Sequence, residues 1–405
     1  MRLLFLCPDM HRGGAERQWA TLIPALARRG AEVRLVCMYE EGPLFEEVRA
    51  AGVSAGCLGL RGPNDMRRLR RALAEARGRP GAVVTRTVSP QVVGQAIARR
   101  AGAAHVFNEH TPLTADGELL AMPPRRRLLT RLVAPHVHRV IQVSERQRAP
   151  LVRLGYKSDR IVTVPNGVFA SEVSTSVDRA AMRASLGLDD GDFAVLCVAN
   201  LRAEKGVDAF VEAVRRARSE TGSSPGGRGE GDPGKGGQGI GSRGEGDQRE
   251  STGPSGERSL RLCGLIAGDG PERERLQQLV AGVDGVDLLG SRGDVPDLIA
   301  ACDALALLSD AEALPMSILE AMALGRPVVT SDVGGAGEAV VDGETGIVVP
   351  PGDTAGAAAA LAKLAADPVA AQALGERGRT RQRERFDGDA MVDGYWRALE
   401  GVATR

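Results

Sequence analysis

The sequence predicts an α/β protein of two similar halves, each a parallel sheet with helices packed against it. Three observations carry this expectation. Short β-branched and apolar runs alternate with helical patterns almost throughout, the signature of βαβ units. At 405 residues the chain is too long for one ordinary core and suits two domains of roughly 150 to 200 residues each. A polar, Ser/Thr-rich break over 168–178 follows the run Ile161 to Val164, and the alternation then starts afresh.

The apolar opening from Arg2 to Cys7 has the charged start of a signal peptide. It stops without a small-residue cleavage site and an amphipathic segment follows, so a first strand is expected. Further strands are expected at Val33 to Met38, Ala82 to Thr85, Val140 to Val143, Ala194 to Val198, Leu262 to Ala267, Ala304 to Leu308 and Pro327 to Thr330. In the first helix Trp19, Leu22, Ile23, Leu26 and Ala27 make one stripe. Gly30 ends that helix and Pro24 should kink it. Near the C-terminus Met391, Val392, Tyr395, Trp396 and Leu399 form the stripe of a helix from about Asp387, expected to cross back onto the first half. The expected domains are therefore 1–168 together with 387–405, and 169–386. Residues 222–256 hold fourteen of the 52 glycines and almost nothing apolar. Such a stretch cannot bury enough surface to offset its ordering entropy, so a disordered insertion is expected there. No short repeat is visible.

Composition narrows the partners. Basic and acidic residues balance at 52 each and aromatics are 3 %, which argues against a nucleic-acid partner. No stretch approaches the ~20 apolar residues of a membrane helix. Six cysteines are scattered without a C-x-x-C pair, mostly in apolar runs. That pattern fits reduced thiols in a cytoplasmic protein.

Three segments carry chemistry. Gly13-Gly14-Ala15-Glu16 lies between the first strand and the first helix, where glycines let backbone amides approach a phosphate. It lacks the G-x-G-x-x-G pattern and a ribose-binding acid after the second strand, which disfavours a dinucleotide oxidoreductase. Arg202 and Lys205 lie three apart at the carboxyl end of the strand Ala194 to Val198, where open α/β sheets bind ligands. Arg holds a phosphate bidentately and Lys as a point charge. The third segment runs from Asp310 to Gly325 and builds a short helix, with Pro315 suited to its first position and Gly325 to its stop. Glu312 precedes that helix and Glu320 lies inside it, roughly 7 to 8 Å along the axis. Amides near Leu314, Pro315, Met316 and Ser317 fall between the two carboxylates. The arrangement suits an elongated nucleotide sugar, with one Glu on sugar hydroxyls, amides on phosphate and the other Glu on ribose. Ile318, Leu319, Ala321 and Met322 surround Glu320 with apolar neighbours, awkward for a mere surface charge.

These segments, with Val164-Pro165-Asn166-Gly167-Val168, Gly268-Asp269-Gly270-Pro271 and Gly334-Gly335…Glu338, resemble the family 4 glycosyltransferases, retaining enzymes of the GT-B fold. The resemblance covers nearly the whole chain apart from the insertion. It implies two Rossmann-like domains facing a central cleft. It also implies a nucleotide-sugar donor and a glycan or lipid-linked acceptor, with transfer of a hexose-type sugar in cell-surface polysaccharide or glycolipid synthesis. By the resemblance Gly13 and Gly14 face the donor phosphates and acceptor, and Arg202 and Lys205 stabilise the departing diphosphate. Glu312 holds the transferred sugar, Glu320 the ribose, and His110 lies near the sugar ring. Ala313 stands where the family usually has Gly, and Asn200 where Gly is frequent before the Arg. Both departures narrow the expected donor pocket.

No residue is a certain general base or carboxylate nucleophile. The resemblance therefore implies same-face substitution, with the leaving phosphate taking the acceptor's proton. No metal or other cofactor is expected. The acidic run Asp189-Asp190-Gly191-Asp192 reads as a turn, and the five histidines lack ligand spacing, His136 and His138 being only two apart. A sugar-nucleotide epimerase of the same fold and a non-catalytic nucleotide-sugar-binding protein remain as alternatives.

Two arginine clusters stand out in the first half: Arg67-Arg68…Arg70-Arg71, and Arg125-Arg126-Arg127…Arg131 with Leu128, Leu129, Leu132 and Val133. The second is read either as a core-facing helix with a solvated basic face or as peripheral contact with the anionic inner face of a membrane.

Overall fold

The computed structural model describes residues 1–11, 13–61, 74–120, 123–221 and 261–403. The cluster Arg67 to Arg71 and the glycine-rich insertion 222–256 lie outside the described residues.

The first half carries strands β1 (Arg2–Cys7), β2 (Glu32–Cys37), β3 (Ser54–Cys57), β4 (Ala82–Thr85), β5 (Ala104–Glu109), β7 (Arg139–Gln142) and β8 (Ile161–Thr163), with a two-residue β6 (Leu113–Thr114) beside them. The seven form one sheet in the order β3-β2-β1-β4-β5-β7-β8, and every neighbouring pair is parallel. β1 sits inside that sheet, paired on both sides, and its last five residues are buried. The second half repeats the plan. β9 (Phe193–Val198), β10 (Leu262–Ala267), β11 (Val286–Gly290), β12 (Ala304–Leu307), β14 (Val328–Ser331) and β15 (Ile347–Val349) form a parallel sheet in the order β11-β10-β9-β12-β14-β15. Strands anticipated from the sequence shift by no more than a residue or two. The order reverses direction in both sheets, at β1/β4 and at β9/β12, which opens a crevice beyond the strands' carboxyl ends. The fold is GT-B.

Both sheets read as near-continuous apolar runs because helices cover both their faces. The first helix, Gly14–Arg28, continues through Pro24. Its buried Trp19, Leu22, Ile23 and Leu26 pack in one core with Phe5, Val84 and the C-terminal helix Gly388–Ala403. That last helix contributes Met391, Val392, Tyr395 and Leu399 to the core of β1, not to that of β9. The chain crosses over at Val168, whose amide donates to the Phe386 carbonyl at 3.0 Å.

The halves are joined mainly by polar links, with Val143 of the first half also packed in the second half's core. β6 pairs antiparallel with β13 (Ala311–Glu312), Leu113 opposite Glu312. Asn166 Nδ2 donates to the Leu314 carbonyl at 2.9 Å. The Glu338 carboxylate accepts from Ser144 Oγ at 2.7 Å and from the Glu145 and Arg146 amides at 3.1 and 2.8 Å. Arg146 in turn pairs with Asp332 at 2.7 Å.

Candidate active site

A cavity of about 670 Å³ lies between the halves. Gly13, Gly14, His110, Arg202, Lys205, Glu312, Leu314, Pro315, Met316, Ser317 and Glu320 all line it. Each is carried by a segment leaving the carboxyl end of a parallel strand, so backbone topology alone converges them.

Gly13 caps the first helix in an extended conformation, and Gly14 begins the helix. A Cβ on Gly14 would lie 3.7 Å from Met316, and one on Gly13 3.8 Å from Asn200. The two halves therefore approach closely here, and both family departures, Asn200 and Ala313, stand on the cavity wall. After β9, Arg202 is exposed to the cleft. Lys205 is followed by Gly206 at φ +61°, whose added Cβ would fall 1.9 Å from the Leu308 carbonyl oxygen. Only glycine tolerates that turn, and the turn aims Lys205 inward. Its Nζ donates to Glu312 Oε1 at 2.8 Å, and Ser309 Oγ donates to the same oxygen at 2.8 Å. Glu312 is 4 % exposed. A buried carboxylate needs such partners, and these fix its direction into the cleft.

Behind Glu312, Gly334 and Gly335 press against the backbone. A Cβ on Gly334 would lie 1.8 Å from the Glu312 carbonyl oxygen, and the Gly335 amide donates to the Ala313 carbonyl at 2.6 Å. The following helix runs Met316–Ala323. Pro315 is its cap residue, extended at ψ 126°, and not its first helical residue. With no amide hydrogen of its own, Pro315 supplies no donor, and the amides of Leu314, Met316 and Ser317 lie along the chain between the two carboxylates, on residues that line the cavity. None of these three donates a hydrogen bond among the described residues. Glu320, on the wall of the cleft, is half-buried. Burial pushes its carboxyl up to about 7, opposed by the positive Arg17 and reinforced by Glu172.

His110 follows β5. Its Nε2 lies 3.0 Å from Asn108 Oδ1, which also accepts from Trp19 Nε1 at 2.6 Å. Asn108 Nδ2 donates to the Ile141 carbonyl at 3.1 Å. That network assigns the amide orientation, so His110 carries its hydrogen on Nε2 and keeps Nδ1 as an acceptor. Burial, with the nearby Arg86 charge, pushes the imidazole down to about 3. His110 is thus a neutral hydrogen-bonding group at physiological pH.

Several contributors escaped sequence reasoning. Arg86, 1 % exposed, stacks 4.9 Å over Trp19 and pairs with Glu16 at 3.0 Å, bracing the glycine turn from below. A charge directly after the apolar run Ala82–Thr85 was its one visible signal. Glu172 and Arg17 also line the cavity, beside Asn166 of the Val164 to Val168 segment; Glu172 falls in the stretch read as a linker. The Asp189 to Asp192 run is a turn in which the Asp192 amide donates to the Asp189 carbonyl, and Arg261 Nε donates to Asp192 Oδ1 at 2.9 Å. Among the described residues no group of three or more His, Cys, Asp or Glu could hold a metal ion. No helix there is long and apolar enough to cross a membrane.

Fold and cleft define a two-domain protein with a polar cavity between its parallel sheets. Comparison with known proteins makes this specific. A family model described as "Glycosyltransferase Family 4" matches residues 12–172, and one described as "Glycosyl transferases group 1" matches residues 257–367. The chain belongs to the family 4 glycosyltransferases. It is 30 % identical over 320 residues to a D-inositol 3-phosphate glycosyltransferase of Acidothermus cellulolyticus, covering 75 % of this chain and 63 % of that one. It is 31 % identical over 211 residues to an alpha-D-kanosaminyltransferase of Streptomyces kanamyceticus, covering 51 % and 44 %. A match of 37 % over 134 residues links it to an N-acetyl-alpha-D-glucosaminyl L-malate synthase of Bacillus anthracis, covering 32 % and 35 %. The chain thus spans less than half the length of the latter two relatives. Among solved structures, Anabaena HepE in complex with UDP-glucose superposes with a TM-score of 0.80 at 20 % identity over the whole of both chains. WaaG, a glycosyltransferase involved in lipopolysaccharide biosynthesis, gives 0.70 at 17 % over 99 % of each.

Proposed function

We propose that this chain is a retaining glycosyltransferase. It moves a hexose-type sugar from a nucleotide-sugar donor to a glycan or lipid-linked acceptor, in cytoplasmic steps of cell-surface polysaccharide or glycolipid synthesis. The observation that carries this reading is the single cavity joining Glu312, anchored by Lys205 at 2.8 Å, to Glu320 across unpaired helix amides. The relatives' names support sugar transfer, and the UDP-glucose held by HepE supports a nucleotide-sugar donor.

In this reading Glu312 accepts hydroxyls of the transferred sugar, Glu320 those of the ribose, and the Leu314, Met316 and Ser317 amides receive the diphosphate. The bond between the anomeric carbon and the phosphate oxygen breaks as the acceptor oxygen adds from the same face. The leaving phosphate takes the acceptor's proton. Arg202 and Lys205 offset the charge that develops on that phosphate, the role a divalent ion would otherwise fill. Neutral His110 offers Nδ1 to a sugar hydroxyl without competing for the proton. Positioning supplies the remainder of the rate.

Thermal-shift binding of UDP-, GDP- and ADP-sugars without added metal tests the donor site. One nucleotide family should stabilise the wild type and not Glu320→Ala, and the wild type should then release free nucleotide only when acceptor is present. Stabilisation by none of the panel overturns the reading. Turnover of the donor sugar without acceptor, giving its epimer, moves it to the epimerase alternative.

A further inference from the structure

The helix Pro124–Val133 is fixed to the first half by Thr130 and Val133, its two buried residues. Everything else on it faces outward. Leu128, Leu129 and Leu132 are 60 %, 42 % and 62 % exposed, three of the six large hydrophobics left exposed among the described residues. Their spacing of one and four places them on one face of the helix. Arg125, Arg126, Arg127 and Arg131 are exposed beside them, and none has an ion-pair partner among the described residues. The reading of this segment as a core-facing helix is therefore corrected in part: Val133 joins the core, while Leu128, Leu129 and Leu132 stay largely exposed. A solvated basic helix requires no exposed leucines, and the recess of about 300 Å³ beside this helix, which Arg127 lines with Glu118 and Leu119, contains none of the three leucines, so they do not face a groove.

We propose that this helix is a docking surface for an anionic lipid bilayer. The leucines enter the boundary between headgroups and acyl chains while the arginines meet lipid phosphates. Charge complementarity selects this occupant. Four unpaired cations around an apolar face of one and a half turns match a negatively charged interface, whereas a second copy of the same helix would set four arginines against four. The helix belongs to the half that supplies His110 and Pro112 to the cleft, and begins ten residues after β6, which pairs across that cleft. Docking would hold the acceptor side of the cleft within a lipid-linked acceptor's reach. This last point rests on the transferase reading; membrane attachment itself does not.

Flotation of the full chain with vesicles tests the surface directly. With vesicles containing phosphatidylglycerol the protein should float, and with pure phosphatidylcholine it should stay behind. Leu128→Glu/Leu132→Glu should lower the bound fraction by roughly tenfold or more. Each Arg→Gln change should cost about fivefold at low salt and less at high salt. All these positions are exposed, so circular dichroism should report an intact fold. Wild type that fails to float with anionic vesicles overturns the proposal, as does flotation unaffected by the leucine pair. Self-association abolished by the leucine change, without vesicle binding, would assign the face to a second copy and overturn it as well. Donor binding by thermal shift is the separate readout. Its loss with flotation intact would fault the transferase reading alone.

Discussion

Glu320 holds its proton into the neutral range because the cleft offers its carboxyl few solvent contacts and only Arg17 as nearby positive charge. In the unfolded chain the same group ionises near its ordinary 4.5. Between those values the folded state binds a proton that the unfolded state has lost, so this group's contribution to stability falls as pH rises and levels off above about 7. Glu320→Gln removes the penalty of a buried charge. It should raise the melting temperature by a few degrees at pH 8 and leave it nearly unchanged at pH 4.5. Melting curves at the two pH values decide it; an equal gain at both would mean the effect is packing, not ionisation. On the proposed donor reading the same substitution also removes an acceptor for ribose hydroxyls, so donor affinity should fall while stability rises. Stability and function are opposed at this one side chain.

Among elements, the turn after β9 shows how a backbone constraint serves chemistry. Gly206 adopts a left-handed conformation against the Leu308 carbonyl, and that contact sets the direction of Lys205 towards Glu312. Gly206→Ala brings both a positive φ for an L-residue and a Cβ overlapping an oxygen. A loss of about 1 to 3 kcal/mol in stability is expected, with a drop of roughly a hundredfold in transfer rate as Lys205 leaves its place. Denaturant unfolding and steady-state kinetics measure the two effects. Unchanged kinetics in the folded fraction would show that Lys205 reaches its position without the turn.

For the whole molecule, the cleft depends on a few polar links between two separately packed cores. Glu338 receives three hydrogen bonds from the first half, and Gly334 and Gly335, just before the short helix Ala336–Ala339 that bears it, press on the backbone of Glu312 and Ala313. The link between the halves and the position of Glu312 are therefore mechanically joined. Glu338→Ala should leave both cores folded but widen the cleft, seen as a larger radius of gyration in solution scattering. KM for donor should rise, and a greater share of turnover should go to water because an open cleft no longer excludes it. Glu338→Gln, which keeps an acceptor oxygen, should restore part of the coupling. A scattering profile identical to wild type with normal transfer would remove Glu338 from this role.

What the sequence by itself determined was whatever depends on neighbours along the chain. Alternating β-branched and helical runs specified the two parallel sheets, because period and apolar content are local properties. The glycine turn, Arg202, Lys205, Glu312 and Glu320 were legible because each sits beside a strand end whose position the pattern reveals. Tertiary structure alone decided which distant groups meet. The Trp19–Asn108–His110 chain that sets a tautomer, Arg86 beneath the first helix, and Glu172 facing Glu320 are joined across 60 to 150 residues. No local spacing encodes such encounters. It also decided the fate of the arginine-rich helix, whose pattern was equally compatible with burial and exposure. Periodicity marks which face of a helix is apolar, but only the packed neighbours determine whether anything covers it.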